Sequence, residues 1–106
     1  MFARHVLIRL KAKAAPEFTR LVETEVIHML RKQKGFLDVV TCISPDLTEA
    51  VSNSFWETQA DAEAYGRTGY SEVMKSLVRV IDGTPTVGTA NVSNSTFHKI
   101  AAAHAA

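Results

Sequence analysis

Residues 35–66 read GFLDVVTCISPDLTEAVSNSFWETQADAEAYG, and this stretch decides the fold. Gly35 follows a basic run, Arg31, Lys32 and Lys34, as the stop of a preceding helix. Residues 36–44 then alternate and are rich in β-branched side chains, which predicts a strand. Leu37, Val39, Thr41 and Ile43 fall on one side of it, and Phe36, Asp38, Val40 and Cys42 on the other. Pro45-Asp46 marks a turn, and residues 49–57 return as a second strand, so the two form a hairpin. Thr58 with Asp61 three residues on has the form of a capping box, which starts a helix directly after the hairpin. Gly66 and Gly69 interrupt that helix.

Working outward, Pro16 and Glu17 open a helix on the N-terminal side of the hairpin. Phe18, Leu21, Val22, Val26, Met29 and Leu30 make its apolar stripe. Residues 3–11 before it alternate as a strand, with Val6, Ile8 and Leu10 on one side and His5, Leu7 and Arg9 on the other. On the C-terminal side the second helix resumes at Ser71 and carries Val73, Met74, Leu77 and Ile81 until Asp82-Gly83 and Pro85 end it. Residues 86–98 predict a last, polar strand, and AAAHAA from Ala101 is expected to fray.

The order is β-α-β-β-α-β, an α+β, ferredoxin-like arrangement with a four-stranded antiparallel sheet in one domain over residues 1–100, followed by the tail 101–106. Two helices cannot cover both faces of such a sheet. Both are expected on the face of Val6, Ile8 and Leu10, leaving His5, Leu7 and Arg9 to meet a second copy in a homodimer. Asp38 is a candidate ion partner for Arg9 in that seam.

The 106 residues are 46% hydrophobic and 22% charged, ordinary for one globular domain. Twelve Lys and Arg against eleven Asp and Glu supply no basic excess for nucleic acid or an anionic membrane. No segment approaches the ~20 apolar residues of a membrane span, and no export signal is legible, so the expectation is a cytoplasmic protein. Cys42, the single cysteine, is expected as a buried thiol. His5, His28, His98 and His104 lack metal-ligand spacing. The glycines at 83 and 88 precede Thr89-Ala90 where a phosphate loop needs Lys-Ser/Thr, and no GxGxxG occurs. No metal and no cofactor is therefore expected.

Three features together resemble the antibiotic biosynthesis monooxygenase family of dimeric α/β barrels: the basic helix end running into Gly35-Phe36, the run Phe55-Trp56-Glu57-Thr58, and the Ala-rich helix from Ala60 to Tyr65. The resemblance covers about residues 3–97. It implies a ligand pocket within each protomer, between helices and sheet, and it implies a functionally mixed kinship: cofactor-free oxygenases of quinols or phenols, haem-degrading enzymes, and members without assigned activity. The histidines that many relatives carry in the second helix are matched here by Tyr65 and Tyr70. The positions that the haem-degrading branch fills with Asn, Trp and an axial His fall on Val6, Tyr65 and Lys75, which counts against haem.

Asn53, Trp56, Tyr65 and Tyr70 form the candidate substrate-binding cluster, with Trp56 as a wall and the phenols and amide as donors to ring oxygens. His28, on the flank of the first helix's stripe, is the candidate base. Without a redox cofactor the substrate itself must be the reductant, so an electron-rich quinol- or phenol-like aromatic is expected. The alternative is a dimeric barrel that binds a small aromatic ligand, or serves a stress response, without turnover.

Overall fold

The computed structural model describes residues 1–97. The tail 101–106, His98 and His104 lie outside the described residues. The elements are β1 (Phe2–Arg9), α1 (Ala15–Leu21), a π-helical turn (Val22–Val26), α2 (Ile27–Arg31), β2 (Phe36–Ile43), β3 (Glu49–Trp56), α3 (Gln59–Arg67), α4 (Gly69–Leu77) and β4 (Thr86–Asn91). The strands form one antiparallel sheet in the order β2-β3-β1-β4.

The strand alternation of β1 is as expected. Phe2, Val6 and Ile8 are buried, and His5, Leu7 and Arg9 are exposed. Cross-strand partners share a face, so Ala50, Ser52, Ser54 and Trp56 of β3 join the buried side. The helices pack on that side, with Phe18, Leu21, Val22, Val26 and Leu30 from the first rod and Val73 and Leu77 from α4 in the core. Thr58 caps α3 as the sequence indicates, its hydroxyl accepting from the Asp61 N–H at 3.1 Å.

Several local expectations are corrected. A β-bulge between Phe36 and Asp38 breaks the alternation of β2 and sets Phe36 opposite Trp56, where it packs on the core. Helix α4 ends at Leu77, and Ile81 instead bridges to Leu10. The last strand stops at Asn91 rather than 98. Cys42 is exposed, because its parity on β2 places it with Val40 on the open face of the sheet. Asp38 and Arg9 do not meet: in register Asp38 faces Phe55 at one end of the sheet and Arg9 faces Glu49 at the other.

The π-helical turn was not legible and has the largest consequence. One extra residue in a turn sets every later side chain back by about 100° around the rod. Leu30 thereby returns to the centre of the buried stripe and Met29 moves to its flank, in agreement with their burial. Thr24 lies inside the turn, its hydroxyl donating to the Arg20 carbonyl at 2.8 Å.

On the open face the His5 imidazole lies directly over Gly88 of β4, where a Cβ would collide with the ring. Leu7 and Val40 are 42% and 43% exposed there.

Candidate functional site

Trp56 ends β3 and is fully buried. Its indole N–H donates to the Ser54 hydroxyl at 2.9 Å, and that hydroxyl donates to the Arg4 carbonyl at 3.3 Å, tying the ring to the sheet. Tyr65 of α3 stacks on it, ring centroids 5.0 Å apart and planes at 26°. Tyr70, in the first turn of α4, meets Tyr65 edge-on at 6.2 Å and 75°. The helix break at Thr68 allows this: it separates α3 from α4 and lets both tyrosines turn toward the sheet.

Arg4 completes the group. Its guanidinium carbon lies 4.3 Å from the centre of the Tyr70 ring and 5.4 Å from that of Tyr65, both cation–π distances. The residue is only 6% exposed, and its Nε has no hydrogen-bond partner.

Arg4, Tyr65 and Tyr70 border a cavity of about 30 Å³ between helices and sheet. Arg4, Ser52, Ser54, Tyr65 and Tyr70 form its polar part, and apolar side chains from β1, the first helical rod and α4 form the rest. That volume is about one water's share of the liquid. Beside it an open groove of about 380 Å³ runs between α4 and β4, lined by Met74, Val78, Ile81, Pro85 and Val87. Tyr70 and Met74 belong to both walls and so divide groove from cavity.

Both phenols stay protonated at neutral pH. Burial pushes the Tyr65 hydroxyl up from 10.0 to about 12, and the Arg4 charge only partly opposes this. Burial likewise raises Tyr70, against the same opposing charge. Stability linked to Tyr65 is therefore full below pH 10 and is lost as pH rises toward about 12, because the unfolded chain gives up its proton first. Unfolding free energy followed over that range should fall by up to about 3 kcal/mol more for the wild type than for Tyr65→Phe. Parallel pH profiles for the two proteins would refute the assignment.

Of the residues singled out in the sequence, Tyr65 and Tyr70 line the cavity together. Trp56 stands behind Tyr65 as core and does not itself line the cavity. Asn53 lies on the opposite face of the sheet, in register with His5 and Val40, and cannot join them. His28 is exposed and away from the cavity, carried to the outside of the rod by the π-helical turn. Lys75 is exposed and paired with Glu72 at 3.3 Å. Arg4 was missed. Its signal was its parity on β1, which it shares with Phe2, Val6 and Ile8.

Among the described residues no three His, Cys, Asp or Glu side chains gather where they could hold a metal ion, and no helix is long and apolar enough to cross a membrane.

The family model described as antibiotic biosynthesis monooxygenase matches residues 1–76. Among solved structures, a monooxygenase of Streptomyces coelicolor in complex with the ligand nanaomycin D is similar, with 22% identity, 84% of each chain covered and a TM-score of 0.71. A Nitrosomonas europaea protein provisionally described as an antibiotic biosynthesis monooxygenase has 17% identity over 85% of this chain and 96% of its own, at 0.68. A second protein of that organism, of unknown function, reaches 0.73 at 8% identity, with 90% and 91% covered. At such identities the likeness is one of fold. The curated proteins include no significant match to the chain.

Proposed function

Since the chain belongs to the antibiotic biosynthesis monooxygenase family, we propose that it is a cofactor-independent monooxygenase of an electron-rich, phenol- or quinol-like small molecule. The observation that carries this reading is the aromatic cavity between helices and sheet, walled by Tyr65 and Tyr70 and joined to an open groove across Tyr70 and Met74. The Streptomyces relative, a monooxygenase in complex with the ligand nanaomycin D, supports the reading of a monooxygenase that takes a small-molecule ligand.

The groove is large enough to receive an aromatic ring, and the cavity is not. Binding therefore requires Tyr70 and Met74 to move, and the helix break beside Tyr70 puts that motion at the boundary of two helices. A phenol with a free para position would give its four electrons to dioxygen. One oxygen atom enters the ring as the quinone carbonyl, and the other leaves as water with the two displaced hydrogens. The protonated Tyr65 and Tyr70 hydroxyls are suited to donate hydrogen bonds to the ring oxygens while the apolar walls keep water away.

The test is oxygen uptake on a panel of quinols and phenols in chelator-treated buffer. One dioxygen per substrate without hydrogen peroxide is expected, falling roughly 100-fold in the Tyr65→Phe/Tyr70→Phe double variant. No uptake across the panel would refute the reading. A second reading, binding without turnover, is favoured by one observation: among the described residues no histidine or carboxylate lines the cavity. It predicts that aromatic ligands raise Tm without consuming oxygen.

We further propose a homodimer closed through the open sheet face, the dimeric α/β barrel arrangement. Leu7 and Val40, both about two-fifths exposed, support this. Sedimentation at micromolar concentration should give a dimer, and a Leu7→Asp/Val40→Asp variant should give monomer. A monomeric wild type would remove the proposal.

A further inference from the structure

Arg4 brings a full positive charge into a wall that is otherwise apolar or neutral. Ion pairs elsewhere join Glu17 to Arg20 and Arg79, and Glu72 to Lys75, all on the surface. None involves Arg4 among the described residues. Its Nε is buried without a hydrogen bond. The faces of Tyr70 and Tyr65 return only part of the hydration that burial removes. A charge held this way, against an internal cavity, is a site waiting for its counter-ion.

We propose that the ligand supplies that counter-ion: the cavity takes a hydroxyaromatic molecule in its ionised form, with the phenolate oxygen against the Arg4 guanidinium and the ring beside Tyr70. This deepens the reading of the cavity as a substrate pocket and rests on it. It also answers the loss of His28 as a base. A cation in contact with a phenolic oxygen lowers that oxygen's pKa, so the O–H bond breaks with its electron pair left on oxygen and its proton passed to water. No side chain need accept the proton. The phenolate is a better electron donor to dioxygen than the phenol, so one residue provides both the binding charge and the activation. The protonated tyrosines then face an acceptor oxygen instead of competing with it for Arg4.

The experiment uses 4-nitrophenol, a phenol that titrates near neutrality, changes colour on ionisation and is too electron-poor to be oxidised. Bound to the wild-type protein, its pKa should fall by about one unit or more, a tenfold preference for the phenolate. Arg4→Lys should keep most of the shift. Arg4→Met should abolish or reverse it, because desolvation alone raises a phenol's pKa, and the same substitution should raise the Tm of the free protein by removing an unpaired buried charge. A bound pKa unchanged or raised in the wild type, the same fall in Arg4→Met, or no binding would each overturn the proposal. Should Arg4→Met fail to fold, the wild type decides alone: at alkaline pH 4-nitrophenolate should bind at least tenfold more tightly than 4-nitroanisole, and equal binding would overturn it. Since the probe is not turned over, its result is independent of oxygen uptake with quinols.

Discussion

Replacing Trp56 by Ala is expected to remove about 3–5 kcal/mol of stability, the largest loss of any single substitution considered for this chain. The indole is fully buried and holds three elements together. It stacks on Tyr65 of α3, meets Phe36 of β2 edge-on at 5.6 Å and 72°, and donates to Ser54 of its own strand. Alanine would leave a void at the base of the aromatic group and take away the hydrogen bond that the Ser54 hydroxyl accepts. Against a typical total of about 5–15 kcal/mol, that loss brings the chain near its folding threshold. Trp56→Phe keeps most of the volume and should cost about 1–2 kcal/mol, chiefly the hydrogen bond and the lost second ring. Urea midpoints at constant m-value measure both. A loss below about 1 kcal/mol for alanine would mean that Tyr65 is held by something other than the indole.

Gly35→Ala is expected to cost about 2–4 kcal/mol, from two separable causes. The residue has φ +78°, which a Cβ makes unfavourable by about 1–2 kcal/mol. A Cβ built there would also lie 2.7 Å from Asp61 Cβ and press on the Asp61 carboxylate. Asp61 cannot retreat freely, because its N–H is held by the Thr58 cap in the first turn of α3. Gly35 itself is fixed from the other side, its carbonyl accepting from the Glu57 N–H at 2.8 Å. Close approach of the first rod's end to the start of α3 is thus built on the missing side chain. In a double-mutant cycle Asp61→Ala should return about 1 kcal/mol of the loss and leave the backbone part untouched. Strict additivity would show that the crowding relaxes at no cost.

How the two stretches met was partly legible. Gly35 could be read as a helix stop, but not as the seat of Asp61, since the residues lie 26 positions apart and nothing local couples them. The Thr58 cap, the hairpin and the parity of β1 were legible because each depends on neighbours within a few residues. Cys42 shows where that reasoning ends. Alternation places it opposite Val39 and Ile43, and only the layering of the fold says which of the two faces the helices cover.

The candidate site divides in the same way. Tyr65 and Tyr70 could be named from their spacing about two glycines, yet Asn53 and His28 were placed with them on sequence proximity or stripe angle alone. Asn53 fails by strand parity: with Ser52 and Ser54 on the helix side, the residue between them faces away. His28 fails because one added residue in the Val22–Val26 turn rotates everything after it. Arg4 goes the other way, a charged residue at a core position whose meaning is invisible until Tyr65 of α3 and Tyr70 of α4, far along the chain, close over it.

By itself, then, the order of residues determined the β-α-β-β-α-β succession, the caps and the family, since periodicity, capping and turn chemistry act over a few residues. The tertiary structure alone decided which face of β2 the helices cover, where the first rod widens, and that the Arg4 guanidinium borders the cavity. Those outcomes are set by packing between segments far apart in the chain, where the free energy of a side chain depends on what arrives beside it.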